Sequence, residues 1–259
     1  MNKDIGPILE GWDYRGSDEV TVRRIVGLDG REKIQLRLEL GLYQMEVAGR
    51  PDGARPHGHE SLLDHYLAVL EEHRRKYGAD EQFKLNGDDC ARLRLESLQY
   101  YHRRISFFEL KDYAAAERDA DHNLQIMDLL KAYAENEADR MLSEQYRAFV
   151  LMHRTKARVH QSVERKDYRL ALAQIDEGIE LIEGFFKEYG RADLIDKAME
   201  IAFLRNWRLE ISREIPVSEP ERLEQLLREA VEQENFERAA EIRDRLKALR
   251  IQVVGQNRP

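Results

Sequence analysis

The histidine-rich segment after Pro56 is the first place in the chain where chemistry is conceivable. His57, His59 and Glu60 lie close together there, and His65 follows. Zinc hydrolases place two histidines four residues apart on one helical face, with a glutamate between them. Here the histidines are two residues apart in a loop and no third ligand is identifiable. We therefore predict that the imidazoles cap and hydrogen-bond where the loop meets a helix, and a metal-dependent enzyme is the alternative.

Two further segments are weak candidates for chemistry. Cys90 has no histidine nearby in the sequence and is predicted to be a buried structural thiol. A single cysteine excludes an intramolecular disulfide and suits a reducing compartment. Residues 49–53 contain glycines but lack the Lys-Ser/Thr ending of a phosphate-binding loop. We therefore predict no catalytic residue, no metal and no cofactor.

Basic and aromatic side chains alternate in residues 100–104 and in residues 205–208. Such segments can bind phosphate and stack on bases. They also occur on helices whose tyrosine or tryptophan is in the core and whose arginines are solvated. The net charge of −8 favours this second interpretation. Nucleic acid is therefore not expected to bind directly, although a helical groove lined by these residues is suited to an acidic peptide.

The composition is that of a charged helical protein. Charged residues make up 36% of the 259 residues and hydrophobic residues 42%, with only 6 prolines and 15 glycines. No stretch has the apolar length of a signal peptide or a membrane helix. The sequence therefore predicts a cytoplasmic protein that does not bind membranes.

The first fifty residues have the pattern of β-strands. Residues 20–26, 34–40 and 42–47 are predicted strands, and Asp29-Gly30 is a hairpin turn signal between the first two. The middle strand alternates apolar and polar residues. A meander this small is marginal alone, so its apolar face must pack on a helix. That face comprises Ile34, Leu36, Leu38 and Leu40.

From Ser61 onward the pattern is helical. Ser61 with Asp64 resembles a capping box, and Gly78 suits the end of this first helix. Its predicted apolar face is Leu63, Tyr66, Leu67, Leu70 and Tyr77. A later helix is predicted over residues 193–213, and prolines bracket a linker at 215–219.

Residues 111–116 and 166–171 share one pattern, in which Tyr113 returns as Tyr168, 55 residues later. Each segment reads Asp-Tyr followed by an alanine three residues after the tyrosine. This resembles tetratricopeptide hairpins, where the tyrosine fills the turn and the alanine lets the helices approach. That family repeats every ~34 residues, so longer helices are expected here. Two unrelated helical hairpins are the alternative.

Two apolar stripes near the C-terminus predict an antiparallel helical hairpin. The break between them is Gln233-Glu234-Asn235, and Ser218 with Glu221 forms a capping box at its start. Asn235 is positioned to cap the second helix. The first stripe is Leu223, Leu226, Leu227, Ala230 and Val231, and the second is Phe236, Ala239, Ala240, Ile242, Leu246 and Leu249.

Residues 234–246 read ENFERAAEIRDRL, which resembles the UVR motif shared by the excision-repair proteins UvrB and UvrC. The same motif occurs in the kinase activator McsA and in ClpC-type unfoldases. The resemblance implies a docking hairpin, not an active site. The chain lacks the Cys-x-x-Cys modules of McsA and the helicase and nuclease motifs of the repair enzymes. The residues predicted to bind a partner are Phe236, Ala239, Ala240, Arg243, Leu246 and Leu226.

These observations together predict a mainly α protein in three parts. Residues 1–56 form the meander packed on helices, 57–215 a helical-hairpin domain of tetratricopeptide-like type, and 216–259 the UVR-like hairpin. The predicted function is a non-catalytic interaction adaptor linked to excision repair or to unfoldase and stress machinery. Its partner would carry a UVR-like or coiled-coil hairpin, and a second copy of the chain also fits that description. The alternative is a nucleic-acid-binding repair accessory protein.

Overall fold

The computed structural model describes residues 4–16, 19–215 and 219–256, with side chains except at 219–221, 225 and 248–256. It is mainly helical with a small N-terminal sheet, as predicted. The strands are β1 (Val22–Val26), β2 (Glu32–Leu38) and β3 (Gly41–Glu46). The helices are α1 (Gly6–Leu9), α2 (Leu62–Tyr77), α3 (Gly87–Glu109), α4 (Tyr113–Tyr133), α5 (Glu137–Glu144), α6 (Arg147–Glu164), α7 (Tyr168–Glu188), α8 (Met199–Glu214), α9 (Glu219–Glu232) and α10 (Phe236–Gln256).

The three strands form an antiparallel meander in the order β1-β2-β3. The predicted Asp29-Gly30 turn joins the first two strands, and Gly30 has a φ of 75° while its N–H donates to the Gly27 carbonyl at 2.9 Å. Strand β2 ends at Leu38, two residues earlier than predicted. Leu40 is 91% exposed because it lies in the turn into β3. Its predicted place on the apolar face is therefore wrong.

The apolar face of the meander packs on helices, as predicted. Ile34 and Leu36 are buried in one cluster with Phe107 of α3, Ala116 of α4 and Ala157 of α6. Helix α3 packs directly on β2, and the cluster continues from there into α4 and α6. This contact completes a sheet that is too small to be stable alone.

The opposite face of the sheet is covered by the segment before β1. The guanidinium of Arg23 lies 3.9 Å above the Trp12 ring, and its Nε donates to Gln35 at 2.8 Å. Arg37 Nε donates to the Trp12 carbonyl at 3.1 Å. Gln35 is consequently buried although it lies on the polar side of β2. This cover was not predicted from the sequence.

A buried ion pair ties the sheet to the helices. Arg103 of α3 donates from Nε and Nη2 to both carboxylate oxygens of Asp119, each at 2.8 Å. Its Nη1 also donates to the carbonyls of Glu46 and Gly49, at 3.0 and 2.8 Å. Arg103 and the adjacent Arg104 are 0% and 1% exposed. The expectation that these arginines are solvated is therefore wrong, because both fall on the buried side of α3.

Helix α2 begins and ends as predicted. The Ser61 side chain accepts the Asp64 N–H, and Gly78 ends the helix with a φ of 75°. The predicted apolar face is only partly buried, since Leu67 is 40% and Tyr77 58% exposed. The buried members are Leu63, Tyr66 and Leu70.

A buried carboxylate adds a second cap to α2. Glu96 of α3 is fully buried and accepts the N–H groups of Leu62 and Leu63 at 2.7 and 3.1 Å. His122 Nε2 lies 3.1 Å from the same carboxylate. Burial opposes the charge, but the hydrogen bonds from His122 and from the two N–H groups lower the pKa of Glu96. The carboxylate therefore stays ionised inside the protein.

The α3–α4 and α6–α7 connections have the same turn. Lys111 and Lys166 have left-handed backbones, with φ of 57° and 59°. Asp112 and Asp167 then cap α4 and α7 by accepting the N–H three residues on, at 3.3 and 3.0 Å. The shared Asp-Tyr pattern therefore specifies one local geometry at both sites.

The tyrosines and alanines after these caps were predicted to be buried in the hairpin turns, and only the alanines are fully buried. Ala116 and Ala171 are both 0% exposed, as close helix approach requires. Tyr113 and Tyr168 are each half-buried, and the Tyr113 ring stacks on His160 of α6 with 4.3 Å between centroids. Beyond the turns and the helical architecture, the likeness to tetratricopeptide repeats stays a prediction.

The predicted helix over residues 193–213 is shorter than expected. Ala192–Lys197 form a 3₁₀ segment, and Ala198 has an extended backbone with a ψ of 121°. Helix α8 therefore begins only at Met199. The short helix α5 between the two hairpins was also not predicted as a separate element.

The chain divides into two compact units, residues 1–210 and residues 211–259. The first contains the meander and α2 to α7, and the second contains α9 and α10. The predicted division into three domains stays a prediction. Within the part of the chain that the structure describes, no helix has the length and apolarity to cross a membrane.

Candidate functional site

The C-terminal hairpin of α9 and α10 buries its apolar stripes between its own helices. Its core joins five buried residues, flanked by Leu226 and Leu227, which are partly buried. Ala239 lies in this core at 8% exposure, where its small side chain suits close packing of the two helices. The buried residues are Leu223, Ala230, Ala239, Ile242 and Leu246. The predicted antiparallel hairpin is thus present.

The turn of this hairpin repeats the geometry of the two earlier turns. Glu234 has a φ of 55°, and the Asn235 side chain accepts the N–H of Arg238 at 3.2 Å. The Asn235 N–H donates to the carbonyl of Ala230 at 2.8 Å, and that of Glu234 to Val231 at 3.0 Å. These two bonds satisfy carbonyls that the end of α9 leaves open. Asn235 therefore caps α10 as predicted.

An exposed aromatic ring lies at the tip of the hairpin. Phe236 is the first residue of α10 and is 68% exposed, and Val231 in the last turn of α9 is 51% exposed. With two-thirds of its surface in water, Phe236 contributes little to the packing of its own turn. Large exposed apolar side chains beside a rigid turn are suited to contact another protein.

The other predicted partner-binding residues lie in three different settings. Ala239 and Leu246 are buried within the hairpin, whereas Leu226, which packs against its core, and Ala240 are partly buried. Arg243 is exposed and pairs with its neighbour Asp244 at 3.0 Å, both side chains being 68% accessible. The structure thus offers Phe236 and Arg243 most openly to a partner. The predicted capping pair of Ser218 and Glu221 and the side chain of Leu249 lie outside the described residues.

The histidine segment forms a stack of rings. The His57 and His65 rings are 4.0 Å apart at an angle of 18°, and His59 is 5.4 Å from His65. Burial, with the nearby His57 and His59, lowers the pKa of His65. The described residues contain no group of histidine, cysteine and carboxylate side chains able to hold a metal ion. Ser61, not a histidine, caps the helix that follows.

Cys90 is a buried thiol, as predicted. It is 0% exposed, and its Sγ donates to the carbonyl of Leu85 at 3.7 Å. Burial raises its pKa to about 11. The thiol therefore stays protonated at neutral pH and is a poor nucleophile.

The two basic–aromatic segments do not present free cations in a row. Arg205 donates to Glu183 at 3.1 Å, and Arg208 donates to Asp176 at 2.6 and 3.2 Å. The Trp207 ring lies 4.9 Å from the ring of His160. These arginines are engaged by carboxylates, while those at positions 103–104 are buried.

The buried polar residues of α3 were not predicted from the sequence, although their spacing places them on the same helical face as its buried apolar residues. Glu96, Tyr100 and Arg103 follow Leu93 at intervals of three or four residues, and Phe107 continues the series. All five are buried. A charged residue at a position that continues an apolar stripe indicates a buried ion pair or cap.

Comparison with known families matches residues 221–252 to the model of the UvrB/uvrC motif. The match covers most of α9 and α10, and it confirms the predicted UVR resemblance. This motif is a protein-interaction element. No curated protein and no solved structure matches the chain.

Proposed function

We propose that this protein is a non-catalytic adaptor that docks onto a partner protein through the tip of its C-terminal hairpin. The single observation that carries this proposal is the exposed ring of Phe236 on a hairpin whose own core is already buried. The match to the UvrB/uvrC motif supports the same function.

The tip has the composition of an interface anchor. Phe236 supplies a large rigid apolar surface, and the capped turn before it fixes its position, so little entropy is lost on binding. Arg243 lies about two turns further along α10 and is exposed, so it can pair with a carboxylate at the rim of the interface. An aromatic anchor with a charged rim is the usual arrangement at protein interfaces.

The partner that fits best is a protein that carries a hairpin of the same motif. Two such hairpins present the same kind of surface, so each can bury the exposed apolar residues of the other. UvrB is the natural probe, because its motif is the one that residues 221–252 match. A protein of the unfoldase and stress machinery that carries such a hairpin is the second candidate partner. A second copy of this chain is the third.

The nucleic-acid-binding alternative has weaker support. Arg103 and Arg104 are out of reach of a phosphate backbone, and Arg205 and Arg208 are paired with carboxylates. Binding to DNA would require those ion pairs to open. Salt-dependent binding of duplex or single-stranded DNA by the full chain would favour this alternative over the adaptor.

A truncation tests the adaptor directly. The full chain and a variant ending at Glu214 are titrated into purified UvrB and monitored by calorimetry. We expect saturable binding by the full chain and none by the truncated chain, which keeps the whole of the first compact unit. Equal binding by both chains would overturn docking through the hairpin.

A further inference from the structure

Arg104 is a buried arginine without a partner. It lies in α3 with 1% of its surface exposed, and its Nε and Nη1 make no hydrogen bond to any residue that the structure describes. The buried carboxylate of Asp119 is already held by two donors of Arg103. A buried guanidinium normally has a carboxylate or several carbonyls around it. Among the described residues, none accepts a hydrogen bond from Nε or Nη1 of Arg104, although the charge of Asp119 acts on it from nearby.

The surroundings of Arg104 are aromatic and cationic. Its guanidinium carbon lies 5.6 Å from the centre of the Tyr101 ring. Burial, together with the nearby charges of Arg104 and Lys156, lowers the pKa of His153 to about 3. Burial also lowers the pKa of Arg104 to about 10, so it stays protonated at neutral pH. The charge of Asp119 favours the protonated form of Arg104, but that carboxylate is already bonded by Arg103 and Arg118.

A cavity of about 930 Å³ opens onto Arg104. Its walls come from α3, α4, α5 and α6, with the first turn of α8, and they are largely apolar. Met127 and Phe149 line it, and Leu95 and Leu98 lie at its rim with 62% and 49% of their surfaces exposed. Cavities of this size and character are typical of sites for small organic ligands.

The other polar groups in the cavity leave the charge of Arg104 unbalanced. Arg94 is neutralised by Asp139, at 2.8 Å. Glu200 is the one carboxylate among the lining residues in the described part of the chain, and no ion pair joins it to Arg104 there. Asn123 is 2% exposed and its Oδ1 has no hydrogen-bond donor. Its amide is thus a second group available to a ligand.

We propose that this cavity binds a small ligand that carries a single carboxylate on an apolar body, with the carboxylate paired to Arg104. Only a slender group that enters the cavity can reach a guanidinium that is 1% exposed. A planar carboxylate accepts two parallel N–H bonds from a guanidinium. One charge on the ligand matches the one unbalanced charge of the site, and the apolar walls hold the rest of the molecule. This site lies in the first compact unit and does not depend on the function of the C-terminal hairpin.

Decanoate, 1-decanol and decylamine test the charge and the apolar body separately. Each is titrated into the full chain below its micelle concentration and followed by calorimetry. We expect decanoate to bind with at least tenfold higher affinity than decanol, because only the acid pairs with Arg104. Decylamine is expected to bind most weakly.

Two matched variants locate the binding. Arg104→Met keeps the apolar volume and removes the charge, so decanoate should lose at least tenfold in affinity while decanol is unchanged. Arg92→Met removes an exposed arginine of α3 that is not among the residues lining the cavity, and it should change decanoate affinity less than threefold. Circular dichroism of each variant verifies that the helices remain.

Four results would overturn the proposal. Decanoate and decanol could bind the unmodified chain equally, or none of the three probes could bind. An unchanged decanoate affinity in Arg104→Met would place any binding elsewhere. An acidic peptide that binds to this cavity where decanoate does not would assign the site to a protein segment instead of a small ligand.

Discussion

At the scale of single residues, Arg103 and Asp119 form an ion pair whose side chains are almost fully buried. Asp119→Asn leaves the buried guanidinium without its anion and should lower the unfolding free energy by about 4 kcal/mol. Urea unfolding measures this loss. The double variant Arg103→Met with Asp119→Leu removes both charges and should recover most of the stability. A loss below about 1 kcal/mol in the single variant would contradict the account.

Glu96 makes the stability depend on pH in a defined direction. Because its pKa is lowered in the folded chain, the unfolded chain binds the proton more readily. Its contribution is therefore complete at neutral pH and is lost as the pH falls from about 5 through the folded pKa. Unfolding free energies measured from pH 7 down to pH 3.5 should fall less steeply for Glu96→Gln. Parallel curves for the two proteins would show that Glu96 does not titrate as described.

At the scale of elements, the repeated turn contains a residue whose type does not suit its backbone. Lys111 and Lys166 have a positive φ, where a Cβ is strained and glycine is not. Lys166→Gly should therefore raise the unfolding free energy by about 0.5 kcal/mol, the relief of strain outweighing the added freedom of the unfolded chain.

The neighbouring residue provides the control for this change. Arg165 has a φ of −81°, so glycine brings no relief there and Arg165→Gly should cost about 0.5–1 kcal/mol. Chemical denaturation of both variants measures the two effects. Equal losses at the two positions would argue against the left-handed turn.

The meander offers a second test at this scale. Leu36 is 4% exposed in an apolar cluster that includes residues of α3, α4 and α6, whereas Leu40 is 91% exposed in the next turn. Leu36→Asp loses about 1.5–3 kcal/mol of apolar burial and buries a carboxylate as well. Its melting temperature should fall by several degrees more than that of Leu40→Asp, which should match the unmodified chain. Equal melting temperatures would show that the sheet does not depend on the helices.

At the scale of the whole molecule, local patterns predicted the elements but not their assembly. The Asp29-Gly30 turn, the Ser61 cap and the hairpin turn at Asn235 follow from short-range rules, so the sequence predicts each of them. The burial of Arg103 and the cavity at Arg104 were not predicted. The burial of Arg103 depends on α3, α4 and the loop after β3, and the cavity is lined by residues from α3, α4, α5, α6 and α8, so no short segment carries that information. Phe236 combines both kinds of information. Its position at the tip of the hairpin could be predicted from the sequence, whereas the exposure of its ring depends on how the hairpin packs.

The most direct test of the proposed function replaces the ring at the tip of the hairpin. Binding of purified UvrB to the full chain is measured by calorimetry for Phe236→Ala and for Tyr77→Ala, a control aromatic that is 58% exposed on α2. We predict that Phe236→Ala loses at least about 2 kcal/mol of binding free energy. Its melting temperature should stay within about 1 °C of the unmodified chain, because a side chain 68% exposed adds little to folding. Tyr77→Ala should bind normally. Retained UvrB affinity in Phe236→Ala, or loss of affinity only together with loss of helicity, would contradict the proposal.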